Sequence, residues 1–243
     1  MFPETSEHAP ARDPVQADAI HPEASAPADG TSTAKPVSKS ERNRAVLPVL
    51  EQLFALYPHL FGAEFLPLKR GIFQELLDRH PEQFKRDELK AALALHTRST
   101  PYLQCMATGK ARHDLDGNAV EGVAPEHVCQ SLLELFRRRQ GRSNVDLRPK
   151  LLVQLGAAFE ASGLSRVDYL ACVQTSNAET NALLEAALDQ YDQKLARQEA
   201  LLRAFDGSGK SAEEFADMYG MDKRDVNAAL ARRQRQQSPA AKP

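Results

Sequence analysis

The sequence predicts a mainly α-helical protein with one small β-hairpin, an α+β chain whose C-terminal region is entirely helical. Apolar residues recur at helical spacing along most of the chain from Ser40 onward. Trp is absent and aromatic residues make up only 6% of the chain, which favours helices rich in Leu and Ala over a β-sandwich. One segment, 112–120, has the pattern of two strands joined by a turn. With 243 residues, of which 42% are hydrophobic, the chain can bury a core in one large or two modest domains.

The first 38 residues are predicted to form a disordered, acidic tail rich in Pro and Ala. Six prolines interrupt any long helix, and two basic side chains stand against six acidic ones. We interpret this tail as a solvated segment without a docking role. At the other end of the chain, residues 236–243 are predicted to form a flexible tail.

Residues 39–142 are predicted to form the first folded domain, which contains five helices and the hairpin. Pro67 and Pro125 suit first helical turns, and Thr97 or Ser99 can cap a short helix. In the hairpin, Asp116-Gly117 can supply the positive φ angles of a tight two-residue turn. The predicted helices run from Ser40 to about Tyr57, from Pro67 to about Arg79, from Arg86 to Leu95, through Tyr102 and Leu103, and from Pro125 to Arg139.

Residues 143–235 are predicted to form a second region made only of helices. Ser211 and Glu214 match a capping box, and Gly220 ends the helix that they open. Residues 211–235 therefore resemble a helix-turn-helix, in which Asp222 begins the last helix. The other predicted helices are an amphipathic one that includes Leu151 to Phe159, a short one that begins at Ser165, and a long one from Asn177 to Phe205 that Gly207 stops.

Charge is distributed unevenly along the chain, although the formal net charge is only −2. Residues 39–142 carry sixteen basic and thirteen acidic side chains, whereas residues 143–243 carry thirteen and fourteen. The first folded segment is therefore the basic one. An excess of three charges is small, so binding of an anionic partner requires that the cations cluster on one face.

The residue patterns argue against catalysis, a structural metal and insertion into a membrane. The three cysteines lie far apart, which disfavours a disulfide framework or a zinc site and predicts buried thiols. The histidines lack metal-ligand spacing, and Asp114 and Asp116 are better explained by the hairpin turn than by paired-carboxylate catalysis. Neither a signal peptide nor a membrane-spanning stretch is recognisable. We therefore expect a cytoplasmic protein that is not an enzyme and uses no cofactor.

A set of cations in the middle of the chain suggests a surface that binds nucleic acid. Lys69 and Arg70 are neighbours, Arg86 and Lys90 lie one turn apart on a predicted helix, and Arg112 lies on the hairpin. If these elements pack together, five cations converge on one face. On composition alone, a scattered set of solvated charges is the better explanation.

Three ordered blocks give the central part of the chain a family resemblance. They are Pro67-Leu68-Lys69-Arg70-Gly71-Ile72-Phe73, Thr97-Arg98-Ser99-Thr100-Pro101-Tyr102-Leu103 and Arg112-His113-Asp114-Leu115-Asp116-Gly117. With these blocks, the segment from about Val46 to Arg139 resembles the ProQ/FinO family of bacterial RNA chaperones. The resemblance implies a ProQ/FinO-like helical RNA-binding domain, and it implies that the RNA-binding face is built from Lys69, Arg86, Lys90, Tyr102 and Arg112.

The segment from Thr97 to Thr100 directly precedes a short predicted helix. Hydroxyls and free backbone N–H groups at a helix start can hold a phosphate, and Arg98 adds a positive charge. Ordinary N-capping, by Ser99 for example, is the alternative and needs only one hydroxyl. The resemblance assigns the loop to the phosphates of an RNA stem near its 3′ end. Tyr102, on a face expected to be partly open, could stack on a base and reach a 3′-terminal ribose or phosphate, a stack worth roughly 1–3 kcal/mol.

Together, the residues and the resemblance predict an RNA chaperone that acts in post-transcriptional regulation. Its expected partners are small RNAs and mRNAs, bound through the stem base and single-stranded 3′ tail of terminator-like hairpins. Binding would stabilise small RNAs and modulate their pairing with mRNAs. The arginines at 137–139 fit either contact with RNA or stabilisation of the negative end of a helix dipole.

The alternative hypothesis is a DNA-binding or adaptor protein that acts through the C-terminal helices. Residues 143–235 would then dock a protein partner or a second copy of the chain. A purely structural helical hairpin is the more common explanation for the 211–235 pattern. If this hairpin contacts DNA, the side chains involved are Lys223, Arg224, Asn227, Arg232 and Arg233.

Overall fold

The structure is a computed structural model that describes residues 39–62 and 64–237. Within these ranges the fold is mainly α with a small β element, as predicted. The predicted acidic tail and residues 238–243 lie outside the described residues. The elements are α1 (Lys39–Leu56), α2 (Pro58–Phe61), α3 (Ile72–Arg79), α4 (Arg86–Thr97), α5 (Thr100–Met106), β1 (Arg112–His113), β2 (Ala119–Glu121), α6 (Pro125–Gln140), α7 (Arg148–Ser162), α8 (Arg166–Val173), α9 (Ala178–Ser208), α10 (Ala212–Tyr219) and α11 (Lys223–Gln237).

The first hydrophobic core forms where α1 packs against α4. Leu53 of α1 and Leu89 of α4 are completely buried, and the short helices α2 and α5 close the sides of this core. His96 lies within it, with ring centroids 4.8 Å from Phe61 and 4.6 Å from Phe65. Its Nε2 atom finds no hydrogen-bond partner among the residues that the structure describes. Burial in these apolar surroundings lowers the pKa of His96 to about 4.

The second core joins α6 to the helices that follow it. Cys129 and Leu132 of α6 are buried together with Leu155 of α7 and Leu188 of α9. Gly156 lies where α7 packs against α9, and a Cβ there would meet the Cβ of Tyr191 at 3.4 Å, an ordinary contact distance. Since α6 also packs against α5, this helix connects the two halves of the described chain. The domain boundary predicted at 142/143 stays a prediction.

A third, small cluster holds the C-terminal helical hairpin against the long helix α9. Phe215 and Val226 pack on Phe205, while the guanidinium of Arg232 donates to Gln198, Tyr191 and Glu160. Arg233 binds both carboxylate oxygens of Asp206, at 2.8 and 2.7 Å. Helix α11 is therefore anchored to α9 by arginines as well as by apolar contacts.

The predicted start of the second helix, at Pro67, is wrong. The Pro67 carbonyl accepts a hydrogen bond from the His113 N–H at 2.7 Å, and the Lys69 N–H donates to the His113 carbonyl at 2.8 Å. The segment thus runs parallel to β1, and the helix begins only at Ile72. Gly71, with φ +85°, makes the turn between the two conformations.

The hairpin is confirmed, but its turn is longer than predicted. The Asp114 N–H donates to the Asn118 carbonyl at 3.1 Å, so Leu115 to Gly117 form a three-residue loop. Gly117 has φ +84°, and the Asp114 carboxylate accepts the N–H groups of Asp116 and Asn118. As the sequence predicted, these aspartates belong to the turn.

Local capping signals are confirmed along the chain. Ser99 caps α5, Ser165 caps α8, Asn177 caps α9, and both halves of the Ser211 capping box are present. The long helix ends later than predicted: α9 passes through Gly207 and stops at Gly209. The prediction of three buried thiols holds for Cys129, whereas Cys105 is half-buried and Cys172 is exposed.

Two searches of the described residues bear on the function. In the ranges 39–62 and 64–237, no helix combines the length and the apolar character needed to cross a bilayer. In the same ranges, no three side chains of His, Cys, Asp or Glu come together as a set of metal ligands.

We expect His96→Phe to reduce the sensitivity of the fold to acid. His96 binds a proton more readily in the unfolded chain, with its pKa near 6.5, than in the folded protein, with its pKa at about 4. The free energy of unfolding of the wild type therefore rises with pH between these two pKa values and falls as the pH is lowered through them. At pH 5, His96 alone should lower the free energy of unfolding by about 2 kcal/mol relative to neutral pH. Urea unfolding of both proteins at pH 7.5 and pH 5 measures the difference. The exposed variant His127→Gln should keep the wild-type acid sensitivity, and an equal loss in His96→Phe would contradict this account.

Candidate nucleic-acid interface

Tyr102 and Arg112 bind the two polar backbone groups of one buried residue, Leu68. The Tyr102 hydroxyl accepts a hydrogen bond from the Leu68 N–H at 3.1 Å, and Nη1 of Arg112 donates to the Leu68 carbonyl at 2.9 Å. Tyr102 is only 5% exposed and Arg112 only 8%. These side chains therefore fix the backbone of the first sequence block relative to α5 and β1.

The predicted partly open face around Tyr102 is wrong. The ring lies within the first core, 5.2 Å from the imidazole of His96 in an edge-on arrangement. Burial also raises the pKa of the Tyr102 hydroxyl above its usual value. A ring enclosed in this way cannot stack on a base with either face. The hydroxyl is the part of Tyr102 that lies nearest the surface.

Arg70 and Arg112 share one carboxylate, that of Glu121 in β2. Arg70 donates to Glu121 from its backbone N–H at 3.1 Å and from Nε at 2.9 Å, and Nε of Arg112 lies 4.0 Å from the same carboxylate. The hydrogen bond from Arg70 lowers the pKa of Glu121, so the carboxylate stays ionised at neutral pH. Any phosphate that binds Arg70 must therefore compete with Glu121.

The remaining candidate cations are Lys69, in the extended segment before α3, and Arg86 and Lys90, on the exposed side of α4. Lys69 forms an ion pair with Glu75 at 3.2 Å. The Arg86 guanidinium lies 5.4 Å from the ring centroid of Phe73, which is a cation–π arrangement. Lys90 is exposed and forms no ion pair within the described ranges. Of these three cations, Lys90 is the one most available to an external phosphate.

The hydroxyls of the Thr97–Thr100 segment are engaged in bonds within the protein. Thr97 donates to the Leu93 carbonyl at 2.8 Å, and Ser99 accepts the Tyr102 N–H at 3.2 Å. Thr100 accepts a hydrogen bond from Nη1 of Arg138 at 3.2 Å. The geometry is that of ordinary N-capping, the alternative that the sequence left open. The charge of Arg98 and the exposed side of this turn remain available to a ligand.

Two neighbouring depressions collect most of the candidate residues. The first, of about 470 Å³, is lined by Arg70, Thr97, Tyr102 and Arg112, together with side chains of α6. The second, of about 750 Å³, lies between α1 and α4; Arg98 and Ser99 line it with Arg138 at one end. Lys69, Arg86 and Lys90 line neither depression.

The sequence missed the contribution of α6 to the first depression. His127, Gln130, Ser131 and Glu134 form its second wall, opposite the cations. These residues carry no motif, and only the packing of α6 against α5 brings them next to Tyr102. Arg138 belongs to the arginine triplet noted in the sequence. Its guanidinium donates to the Arg98 carbonyl at 3.0 Å and binds Glu134 at 2.9 Å.

The cations proposed to face DNA on α11 are largely committed to internal contacts. Arg232 and Arg233 anchor α11 to α9 and α7 as described above, and Nζ of Lys223 lies 2.7 Å from a carboxylate oxygen of Glu213. Arg224 and Asn227 are exposed. The C-terminal hairpin thus uses most of its basic residues for packing.

Comparisons with known proteins match the central part of the chain. Residues 43–147 match the model of the ProQ/FINO family. The RNA chaperone ProQ of Shewanella pealeana is 39% identical over 84 residues, which are 33% of this chain and 40% of that protein. The corresponding protein of Shewanella amazonensis is 38% identical over 84 residues, 33% of this chain and 38% of its own length. The chain thus spans about two fifths of the length of these curated relatives.

A solved structure was also found, that of a FinO-like RNA chaperone from Neisseria meningitidis MC58. The two sequences are 27% identical, and the TM-score is 0.33. The matched region makes up 37% of this chain and 92% of the Neisseria chain. All the candidate residues of the interface lie within the range 43–147 that matches the family model. Helices α7 to α11 lie outside that range.

We expect Tyr102→Phe to destabilise the protein by about 1–3 kcal/mol, because it leaves the buried Leu68 N–H without an acceptor. The change removes only one oxygen and keeps the packing of the ring. Urea unfolding at neutral pH, compared with wild type, measures the loss. Tyr219→Phe is the matched control, since Tyr219 is 56% exposed and its variant should unfold as wild type does. Equal stability of Tyr102→Phe and wild type would show that this hydrogen bond is unimportant.

Proposed function

We propose that this chain, whose residues 43–147 are a domain of the ProQ/FINO family, is an RNA-binding chaperone without catalytic activity. Its ligands in this proposal are structured RNAs, bound at the stem base and single-stranded 3′ tail of terminator-like hairpins. By holding such ends in the cytoplasm, it stabilises small RNAs and modulates their pairing with mRNAs. The RNA chaperones ProQ of Shewanella, which match the same segment, support the choice of RNA over other polyanions.

The observation that carries the proposal is the depression beside α5. It combines the cations Arg70 and Arg112 with the hydroxyls of Thr97 and Tyr102. Cations suit a phosphate, and hydroxyl and amide groups suit the edges of a ribose or a base. A volume of about 470 Å³ is large enough for a terminal nucleotide that leaves the stem.

The candidate residues divide into two roles within this proposal. Lys90 and Arg98, which are exposed and lack ion pairs among the described residues, bind phosphates of the stem directly. Lys69 and Arg70 join them when phosphate replaces Glu75 and Glu121. Arg86 contributes from its place over Phe73.

Tyr102 and Arg112 act at the end of the RNA chain. Because both are bound to Leu68, they present a rigid hydroxyl and guanidinium at the floor of the depression. In this proposal, the 3′-terminal ribose contacts these two groups, and no base stacks on the ring of Tyr102. Substitution of either residue also disturbs the fold, so the exposed cations are the cleaner probes of binding.

Tests of this function need the full chain. A fragment ending at Gln140 would leave Cys129, Leu132 and Leu133 of α6 without the helices that cover them. Binding lost in such a fragment could result from unfolding. Point variants on the surface avoid this difficulty. Association through 143–235, with a partner or a second copy, stays a prediction.

We expect Lys90→Ala to weaken binding of all hairpin ligands and to make binding less dependent on salt. Each lost phosphate contact should lower the slope of log affinity against log salt by about 0.7–0.9. Filter binding of a hairpin with a U-rich 3′ tail, at several salt concentrations, measures both effects. Arg197→Ala is the matched control, because Arg197 is an exposed cation of α9 outside the family match and should be neutral. An unchanged slope in Lys90→Ala would remove this residue from the interface.

We expect a 3′-phosphate on the same hairpin to reduce its affinity by about tenfold, or about 1.4 kcal/mol. A phosphate is bulkier than a hydroxyl, and Tyr102 and Arg112, which are bonded to Leu68, cannot move aside for it, while Glu121 and Glu134 offset the charges of the two arginines. The test compares two RNAs that differ only in a 3′-hydroxyl or a 3′-phosphate. Equal affinities would sink the assignment of the depression to the 3′ end.

A further inference from the structure

A strongly basic segment connects the end of α6 to the start of α7. Residues 137–150 include six basic side chains and one acidic one. Asp146, the acidic residue, accepts the Arg148 backbone N–H at 2.9 Å. Arg137 and Arg138 form ion pairs with Glu134, whereas Arg139, Arg142, Arg148 and Lys150 form none within residues 39–62 and 64–237. This segment therefore presents unneutralised positive charge to solvent.

Two of these cations border a groove between α5, α6 and α7. The groove has a volume of about 240 Å³, and Arg139 and Lys150 lie at its edge. Its apolar floor includes Phe136 and Leu151, and the amides of Gln104 and Gln154 line its sides. The combination of an aromatic ring, hydrogen-bonding amides and cations suits a nucleobase with its flanking phosphates.

The groove is separate from the depression at Tyr102. Helix α5 contributes Tyr102, Leu103 and Met106 to the depression, whereas Gln104 of α5 lines the groove together with Ala107 and Thr108, which follow the helix. The two sites thus lie on different sides of the contact between α5 and α6. Lys150, Leu151 and Gln154 of the groove come from α7, which lies outside the family match, so one wall of the groove belongs to the C-terminal helices of this chain.

We infer that this groove is a second site for single-stranded RNA, so that one chain holds two RNA segments at once. The base enters over Phe136, the amides of Gln104 and Gln154 bind its edge, and Arg139 and Lys150 bind phosphates. Arg139 and Lys150, which form no ion pair among the described residues, favour an anionic strand over an apolar protein segment. The inference rests on the proposed RNA chaperone function and adds the place where a second strand is held during pairing.

Binding of a second strand to a preformed hairpin complex tests the inference. The full-length protein is first saturated with an unlabelled hairpin that has a U-rich 3′ tail. A fluorescein-labelled, unstructured RNA of about 10 nucleotides, within the usual site sizes, is then titrated and followed by anisotropy. This strand carries a 3′-phosphate, which weakens its binding to the depression that the hairpin already occupies. The variant is Arg139→Ala with Lys150→Ala, and the matched control is Arg197→Ala with Lys210→Ala, which removes two exposed charges elsewhere.

We expect the wild-type complex and the control to bind the labelled strand, and the Arg139→Ala/Lys150→Ala variant to bind it at least tenfold more weakly. The salt slope for this strand should fall by about 1.4, at about 0.7 per single-strand contact. Affinity for the hairpin should change by less than about twofold, since the variant leaves the depression intact.

Three results would overturn the second site. The hairpin could displace the labelled strand from wild type, the variant could bind the strand as the control does, or an acidic peptide of equal length could bind through Arg139 and Lys150 more tightly than RNA. If wild type fails to bind the hairpin itself, the proposed function fails as well. Hairpin binding without the second strand rejects this inference alone.

Discussion

The backbone of Leu68 is the point on which the central part of the structure depends. Its N–H is held by Tyr102 and its carbonyl by Arg112, while the adjacent Pro67 carbonyl and Lys69 N–H pair with His113. These bonds bring the three ordered sequence blocks together at one buried residue. A polar group left unpaired at such a site costs about 1–3 kcal/mol, so each block needs the other two. The depression beside α5 exists because this junction is rigid.

The junction divides the cations of the domain into groups with different roles. Arg112 is buried and stabilises the fold, and Arg70 shares Glu121 with it. Lys90 and Arg98 are exposed and free of carboxylate partners among the described residues. Exposed ion pairs contribute little free energy, so a phosphate can replace Glu121 as the partner of Arg70. Arg112 is buried and bonded to Leu68, so a phosphate cannot break its contacts in the same way. In the proposed interface, Lys90 and Arg98 are therefore the cations that a phosphate meets without displacing a carboxylate.

Helix α6 connects this surface to the rest of the chain. One side of it forms the wall of the depression through Gln130 and Glu134, and another packs into the core of α7 and α9 through Leu132. The C-terminal helices thus stabilise the candidate interface from behind. Their own arginines, such as Arg232, are used to attach α11. In this arrangement, the basic segment after α6 is the part of the C-terminal region best placed to contact an anionic ligand.

The sequence by itself determined the helices, their caps and the hairpin, because Ser99, Ser211 and Gly117 act through bonds that span one turn. The residues that it assigns to a nucleic-acid interface stay a prediction. Only the tertiary structure decided how they are used. Pro67 to Arg70 has the pattern of a helix start, yet pairing with His113 keeps it extended. The sequence pattern around Tyr102 and Arg112 suggests ligand contacts at the surface, yet both side chains are buried and bonded to the backbone of Leu68. The partners of these residues lie at least 34 positions away in sequence, and local patterns carry no information about contacts at that distance.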